Sequence, residues 1–402
     1  MNATDAVRPP HPGPLPEGEG GNRAVSLPIY FVFFLSGAAA LTYEISWSRQ
    51  VGLVLGNTVA SASSVLASYF LGMALGYAVA GQVSARSQRP LLMYGLLELA
   101  AAGWALLVPL LLSLTRNVGL AAMLAELSPS MRISIQTLLC VLLFLPATTA
   151  LGGTLPLMAS WIEQRNPRST SRIAWAYGLN TFGGLVGVLI ATICMVSVIG
   201  VVATSYVAAS VSALCGISAI LFSFAQQSVP TEHVKTVPPD TVTQSDPQPA
   251  ARGFALLLLV GISGFATLSL EVLYMRLFAL TFHNSTYTFG LVVAVVLFGL
   301  AAGAWLAAWA QRNANPINVA GWALLLGSGA VSFSTLLFLN QTGLSYFHGG
   351  DTFAVYMFAS VGLVTVIVLP PALLLGTVLP LLWDAACQSA QSSAKVVGRL
   401  TA

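Results

Sequence analysis

The chain has 402 residues, of which 56% are hydrophobic and 7% charged, and 16 Lys and Arg against 13 Asp and Glu leave a net charge of +3. Soluble domains carry roughly 25% charged residues, so a chain this long has too little polar surface to cover a water-soluble globule. The small net charge and the lack of basic clusters also argue against a nucleic-acid partner.

The opening stretch "MNATDAVRPPHPGPLPEGEGGNRA" is rich in Pro and Gly without apolar periodicity, which predicts a disordered tail over residues 1–26. Its piece "PHPGPLPEGEG" resembles a translated bacterial intergenic repeat. Ten apolar segments follow, near 27–47, 59–83, 91–114, 133–162, 174–198, 200–224, 254–276, 286–310, 318–340 and 353–383. Each is long enough for a membrane helix, which needs about 20 residues. The expected fold is therefore an all-α polytopic membrane protein.

The first segment reads "SGAAALTYEISWSRQVGLVLGNT" from Ser36. Glu44 and Arg49 are candidates for a solute or coupling site, because a charge in the bilayer costs about 2.5–3.5 kcal/mol and needs a partner or a wet path. The alternative puts both at the outer mouth of the helix, where Tyr43 and Trp47 would belong to an interfacial aromatic belt. Five residues turn a straight helix by about 140° from face to face, so the two cannot pair within it. Asn57 follows in the next loop. In the second segment Gly72 and Gly76 predict a close helix crossing. In the third, Glu98 lies deep in "YGLLELAAAG", where a carboxyl faces the bundle interior or is carried neutral. Pro146, Gly152, Gly153 and Pro156 are predicted to interrupt the fourth segment, and Gly183 and Gly187 repeat the small-residue spacing in the fifth.

The polar stretch 226–252 is the longest interruption and reads as a linker between two membrane halves. With the N-terminus cytoplasmic, only Arg49, Arg116, Arg132 and Arg276 of the 16 basic residues fall outside, so the linker is expected on the cytoplasmic side. Beyond it, "SGFATLSLEVLYMRLFALTFHNS" from Ser263 repeats the first segment without a gap. Gly37 aligns with Gly264, Glu44 with Glu271, Arg49 with Arg276, Asn57 with Asn284, Gly72 with Gly299, and Gly76 with Gly303. Glu98 aligns with Leu325. Farther on, "PATTALGGTLP" pairs with "PPALLLGTVLP", setting Pro146 on Pro370, Gly152 on Gly376 and Pro156 on Pro380, with Pro371 beside them. Because Glu, Arg and Asn are rare here, their coincidence marks an internal duplication. Cross-pairing between halves, Glu44 with Arg276 and Glu271 with Arg49, is expected where pairing within one helix is not.

The first copy (27–225) holds six predicted helices, so the second (253–402) enters the membrane with the same orientation, as in the two halves of major-facilitator transporters. The second holds four. "AWAYGLNTFGG" in the fifth helix has its partner at "GRLTA" from Gly398, which predicts a truncated or split second repeat. The expected cysteine and histidine chemistry is slight. Cys140, Cys194, Cys215 and Cys387, with His11, His233, His283 and His348, form no metal or disulfide spacing, and no cofactor motif occurs.

In combination, "ALTYEISWSRQVGLVLGNT", "YFLGMALGYAVAG", "ALGGTLPLMASW" and "YGLNTFGGLVGVL" resemble the membrane region of bacterial spermidine-synthase-like proteins, in which a major-facilitator-like region precedes an aminopropyltransferase-like domain. The resemblance spans residues 27–402. It implies a multi-pass protein of a bacterial inner membrane with a connection to polyamines. The soluble domain of that family has a Rossmann-like sheet with a Gly-rich turn, and acidic residues that grip the amine. No such stretch occurs in this chain, so catalysis is not expected of it. The functional expectation is a transporter-like module for a small solute such as a polyamine or other amine, held by Glu44, Glu98 and Glu271. The alternatives are a membrane scaffold for a separately encoded aminopropyltransferase, or a fragment of a fused enzyme.

Overall fold

The computed structural model describes residues 18–56, 58–165, 170–227, 250–282, 286–311, 314–387 and 393–401. Among these residues there is helix and no strand. Ten helices are long and apolar enough to cross a bilayer. They are α1 (Gly18–Leu55), α2 (Val59–Ser84), α3 (Pro90–Asn117), α4 (Pro129–Arg165), α5 (Thr170–Ile190), α6 (Gly200–Gln227), α7 (Ala250–Thr281), α8 (Thr286–Ala310), α9 (Pro316–Thr342) and α10 (Phe353–Cys387), followed by the shorter α11 (Ser393–Thr401). A helical turn at Leu120–Ala125 joins α3 to α4, and α5 continues past Ile190 through a π-helical turn at Ala191–Met195. Each predicted segment coincides with one long helix, and the chain is an all-α polytopic membrane protein.

The helix ends follow local chemistry. Nothing in the sequence stops α1 before Gly56, whose φ of +94° is left-handed and favours glycine. The helix therefore runs on past the predicted end at 47, and Arg49 is a helical residue rather than one of an outer loop. Arg276 likewise lies inside α7, which continues to Thr281. Thr58 caps α2 by accepting from the Ser61 N–H at 3.1 Å, and Asn315 caps α9 from Ile317 at 3.0 Å ahead of Pro316. The predicted tail and linker are shorter than expected, since helix begins at Gly18, continues to Gln227 and resumes at Ala250. Residues 1–17 and 228–249 lie outside the described residues, as do Asn57 and Asn284.

The expected interruption of the fourth and tenth segments is corrected. Helix α4 runs unbroken through Pro146, Gly152, Gly153 and Pro156, and α10 through Pro370, Pro371, Gly376 and Pro380. The physical reason is the partner helix. Gly76 sits with Gly152 and Gly153 at its surface, the Cβ of an alanine there falling 2.9 Å from the Gly152 Cα. Gly72 abuts Thr148, and in the second half Gly299 meets Ala372 and Leu373 while Gly303 meets Gly376. The small residues of α4 and α10 let α2 and α8 lie against them backbone to backbone, and that packing holds the helix through its prolines.

The two halves repeat this packing. Pairs α2–α4 and α8–α10 make the most extensive contact of their halves, with α3–α4 matched by α9–α10 and α1–α2 by α7–α8. Between the halves α5 packs on α8, where Gly178 approaches the Ala301 carbonyl and Trp305. In the equivalent place α11 packs on α2, where Gly398 approaches Gly81 and the Tyr77 carbonyl. The symmetry ends around the first helix of each half. Helix α1 is sheathed by α5 and α6, and 67% of its most apolar stretch is buried, against 28% for α7.

This asymmetry separates two glycines that the repeat makes equivalent. Gly37 faces α5, and an added Cβ would overlap the Asn180 carbonyl and lie 2.8 Å from its Nδ2, whereas Gly264 faces open space. Gly37→Ala should destabilise the purified protein by about 1–3 kcal/mol through overpacking. Gly264→Ala should leave the thermal midpoint in detergent unchanged or slightly raised, since alanine is the better helix former by about 1 kcal/mol. Equal midpoints for the two variants would refute the packing described here.

Candidate functional site

The charges on the first helix of each half come together by symmetry rather than by sign. Glu44 on α1 is 3% exposed and Glu271 on α7 is 9% exposed. The two carboxyls are close enough to feel one another's charge, and no arginine acts on either. The expected cross-pairing of Glu44 with Arg276 and of Glu271 with Arg49 is therefore corrected. Around a two-fold axis, a residue near the axis meets its own copy. Equivalent positions of the two repeats accordingly lie near each other, and Glu44 feels the charge of Glu271.

The arginines obey the same rule. Arg49 and Arg276 line one cavity of about 320 Å³ between the halves. Ser48, Thr58, Ser63 and Thr288 supply hydroxyls to its wall, while Ile45, Leu66, Val272, Met275 and Phe289 supply the apolar part. Among the described residues no carboxylate lines it. Two planar guanidinium groups, which only donate, with nearby hydroxyls that can also donate, form a surface suited to an anionic group, which arginine grips in a fork.

The predicted belt residues have another place. Tyr43 and Trp47 are fully buried in the first half, with Trp47 stacked on Phe144 at 5.1 Å and donating from Nε1 to the Ser205 Oγ at 3.0 Å. An indole that finds its hydrogen-bond partner inside the bundle has no need of the headgroup layer.

Glu98 is 0% exposed, at the junction of α1, α3 and α6, and its Oε1 accepts a short hydrogen bond from Ser36. The hydroxyls of Tyr94 and Ser212 lie at the same carboxyl. Its repeat partner Leu325 is 61% exposed on the outer surface of α9. Glu98 thus belongs to the first half alone and does not share the arginine cavity.

Gly152, Gly153 and Gly376 lie in the α2–α4 and α8–α10 contacts, Pro156 and Pro380 are buried, Pro146 and Pro370 are exposed, and none of the seven lines either large cavity. What the sequence reading missed is a second cavity of about 610 Å³ within the second half. It is walled by aromatic residues that include Phe282, Tyr287, Phe347 and Tyr356, with Asp351 and Ser360 among the polar groups. Thr288 lines both cavities. The only sequence signal was the crowding of aromatics near 282–289 and 346–356. The loop carrying Phe347 is held by a 2.9 Å hydrogen bond from its N–H to the Thr281 carbonyl.

No protein-family model matches the chain, and no curated protein matches it.

The symmetry pairing has a direct test. In a cysteine-free background, Glu44→Cys with Glu271→Cys, and Arg49→Cys with Arg276→Cys, should each be joined by a short bismaleimide. Each pair should then lose later maleimide labelling at both positions. Single-cysteine controls should label normally, and persistent labelling of both pairs after cross-linking would contradict the arrangement.

Proposed function

We propose that the chain is a non-enzymatic, transporter-like module of a bacterial inner membrane, with a major-facilitator-like bundle that binds a small solute between its halves. The observation that carries the reading is the cavity lined by Arg49 and Arg276, contributed by equivalent positions of two membrane repeats. Transporters built from repeats hold their solute at the repeat interface. The bias of Lys and Arg supports a cytoplasmic N-terminus and a cytoplasmic segment 228–249.

The lining favours a solute with a carboxylate or phosphate group, since both charges on it are positive. A second reading keeps the amine expected from the family resemblance. Two carboxyls sharing a buried site need a positive partner between them, a proton or an ammonium, and Glu44 with Glu271 is such a pair.

Uptake into proteoliposomes separates these readings. A panel of labelled mono- and dicarboxylates, phosphate and spermidine should give transport of an anion that falls at least about tenfold in Arg49→Gln and in Arg276→Gln. Protein recovered in the membrane should be unchanged in both variants. Spermidine uptake that is lost in Glu44→Gln and Glu271→Gln but survives both arginine changes would assign the amine instead. Uptake of none of the panel would sink the transport reading and leave the scaffold for a soluble aminopropyltransferase, tested by co-purification with such an enzyme.

A further inference from the structure

The aromatic cavity of the second half is a chamber that the proposed solute site does not use. Its volume of about 610 Å³ suits one small molecule, since ligand pockets run from roughly 300 to 1,000 Å³. Three of its rings come from separate parts of the chain: Phe282 just after α7, Phe347 in the loop before α10, and Tyr356 within α10. Their centroids lie 5.2 Å (Phe282–Phe347), 6.2 Å (Phe282–Tyr356) and 6.3 Å (Phe347–Tyr356) apart, so the three form one cluster on the wall. Two polar side chains share that wall. Ser360 on α10 is 2% exposed, and its Oγ is buried with no hydrogen-bond partner among the described residues. A buried hydroxyl is nearly always satisfied, so this one calls for a ligand atom in the chamber.

The charge on the wall narrows what that ligand is. Asp351, exposed in the loop, is the one carboxylate among the described residues that line the cavity, and no lysine or arginine lines it with Asp351. His348 beside it donates from Nδ1 to the Tyr346 carbonyl at 2.9 Å. Aromatic faces carry negative potential and attract an ammonium held within about 6 Å of a ring centroid. A neutral apolar molecule would leave Asp351 and Ser360 unused. A polyamine brings more positive charges than one carboxylate balances. A zwitterionic lipid headgroup would set its phosphate near Asp351, where no cation of the wall meets it. A small amine with one positive charge uses every part, its ammonium between Asp351 and the rings, its carbon body on the rings, and a polar hydrogen at the Ser360 Oγ.

We infer that Phe282, Phe347, Asp351, Tyr356 and Ser360 form a binding site for a small amine with one positive charge and an apolar body. The cavity adjoins the arginine cavity, since Thr288 lines both, but neither arginine lines it. This inference does not rest on the solute reading, because amine binding here is measured without transport.

The test uses the full chain purified in detergent, with 2-phenylethylamine and its neutral analogue 2-phenylethanol as probes in equilibrium dialysis. The amine should bind at one molecule per chain, at least about tenfold more tightly than the alcohol. Asp351→Asn, a change in an exposed loop, should weaken the amine at least about threefold and leave the alcohol unchanged. Tyr356→Leu should weaken the amine by a similar factor. Glu44→Gln combined with Glu271→Gln should leave amine binding as it was, which separates this site from the carboxyl pair between the halves. Equal binding of amine and alcohol would make the chamber a general apolar cavity and overturn the site. No binding of the amine would overturn it too, and so would binding untouched by Asp351→Asn, by putting the amine elsewhere.

Discussion

Two helices in a bilayer gain little by hiding apolar side chains from each other, because the lipid is as apolar as they are. What remains is close contact of backbone with backbone, and small residues are the only ones that permit it. The α2–α4 and α8–α10 crossings are built on this constraint, with Gly72, Gly76, Gly152 and Gly153 in one half and Gly299, Gly303 and Gly376 in the other. Helices α4 and α10, held along these crossings, pass through two and three prolines unbroken. The same device joins α1 to α5, where Gly183 and Gly187 rest on the carbonyls of Phe34 and Ala38 and Asn180 Nδ2 donates to the Phe33 carbonyl at 2.8 Å.

Once two such halves face each other, symmetry decides which charges meet. A search for opposite charges pairs Glu44 with Arg276; a two-fold relation pairs each residue with its own copy. The result is a carboxyl pair and a guanidinium pair in successive layers of one interface. Like charges repel more strongly in a medium of low dielectric, and the solute proposed above would offset that repulsion. Structural ion pairs would have joined the signs instead.

The halves then diverge where chemistry is added. Glu98, Tyr94 and Ser212 occupy a junction of α1, α3 and α6, and among the described residues no helix of the second half stands to α7 and α9 as α6 stands to α1 and α3. Leu325 at the position of Glu98 accordingly faces outward. The aromatic cavity near Asp351 and Tyr356 belongs, conversely, to the second half. A shared scaffold carries two different sets of polar groups.

The ten spans, the duplication and the small-residue crossings were legible in the sequence, because each rests on local quantities: the length of an apolar run, the spacing of glycines, the coincidence of rare residues. The candidates Glu44, Arg49, Glu271 and Arg276 were legible for the same reason, since a charge inside an apolar run stands out wherever the helix goes. Their partners were not, and neither was the interior place of Tyr43 and Trp47, which an apolar run describes equally well as interfacial. The equivalence of Gly37 with Gly264 was visible and misleading, as one packs on α5 and the other on nothing described. The hydroxyls gathered around Glu98 come from residues as far apart as Ser36 and Ser212. The sequence by itself determined the class, the number of spans and the internal repeat, because helix formation and membrane insertion depend on neighbours along the chain. Which charges share a cavity, and which hydroxyls gather at Glu98, only the tertiary structure decided, because the first depends on how the two halves pack together and the second on how α1, α3 and α6 pack within one of them.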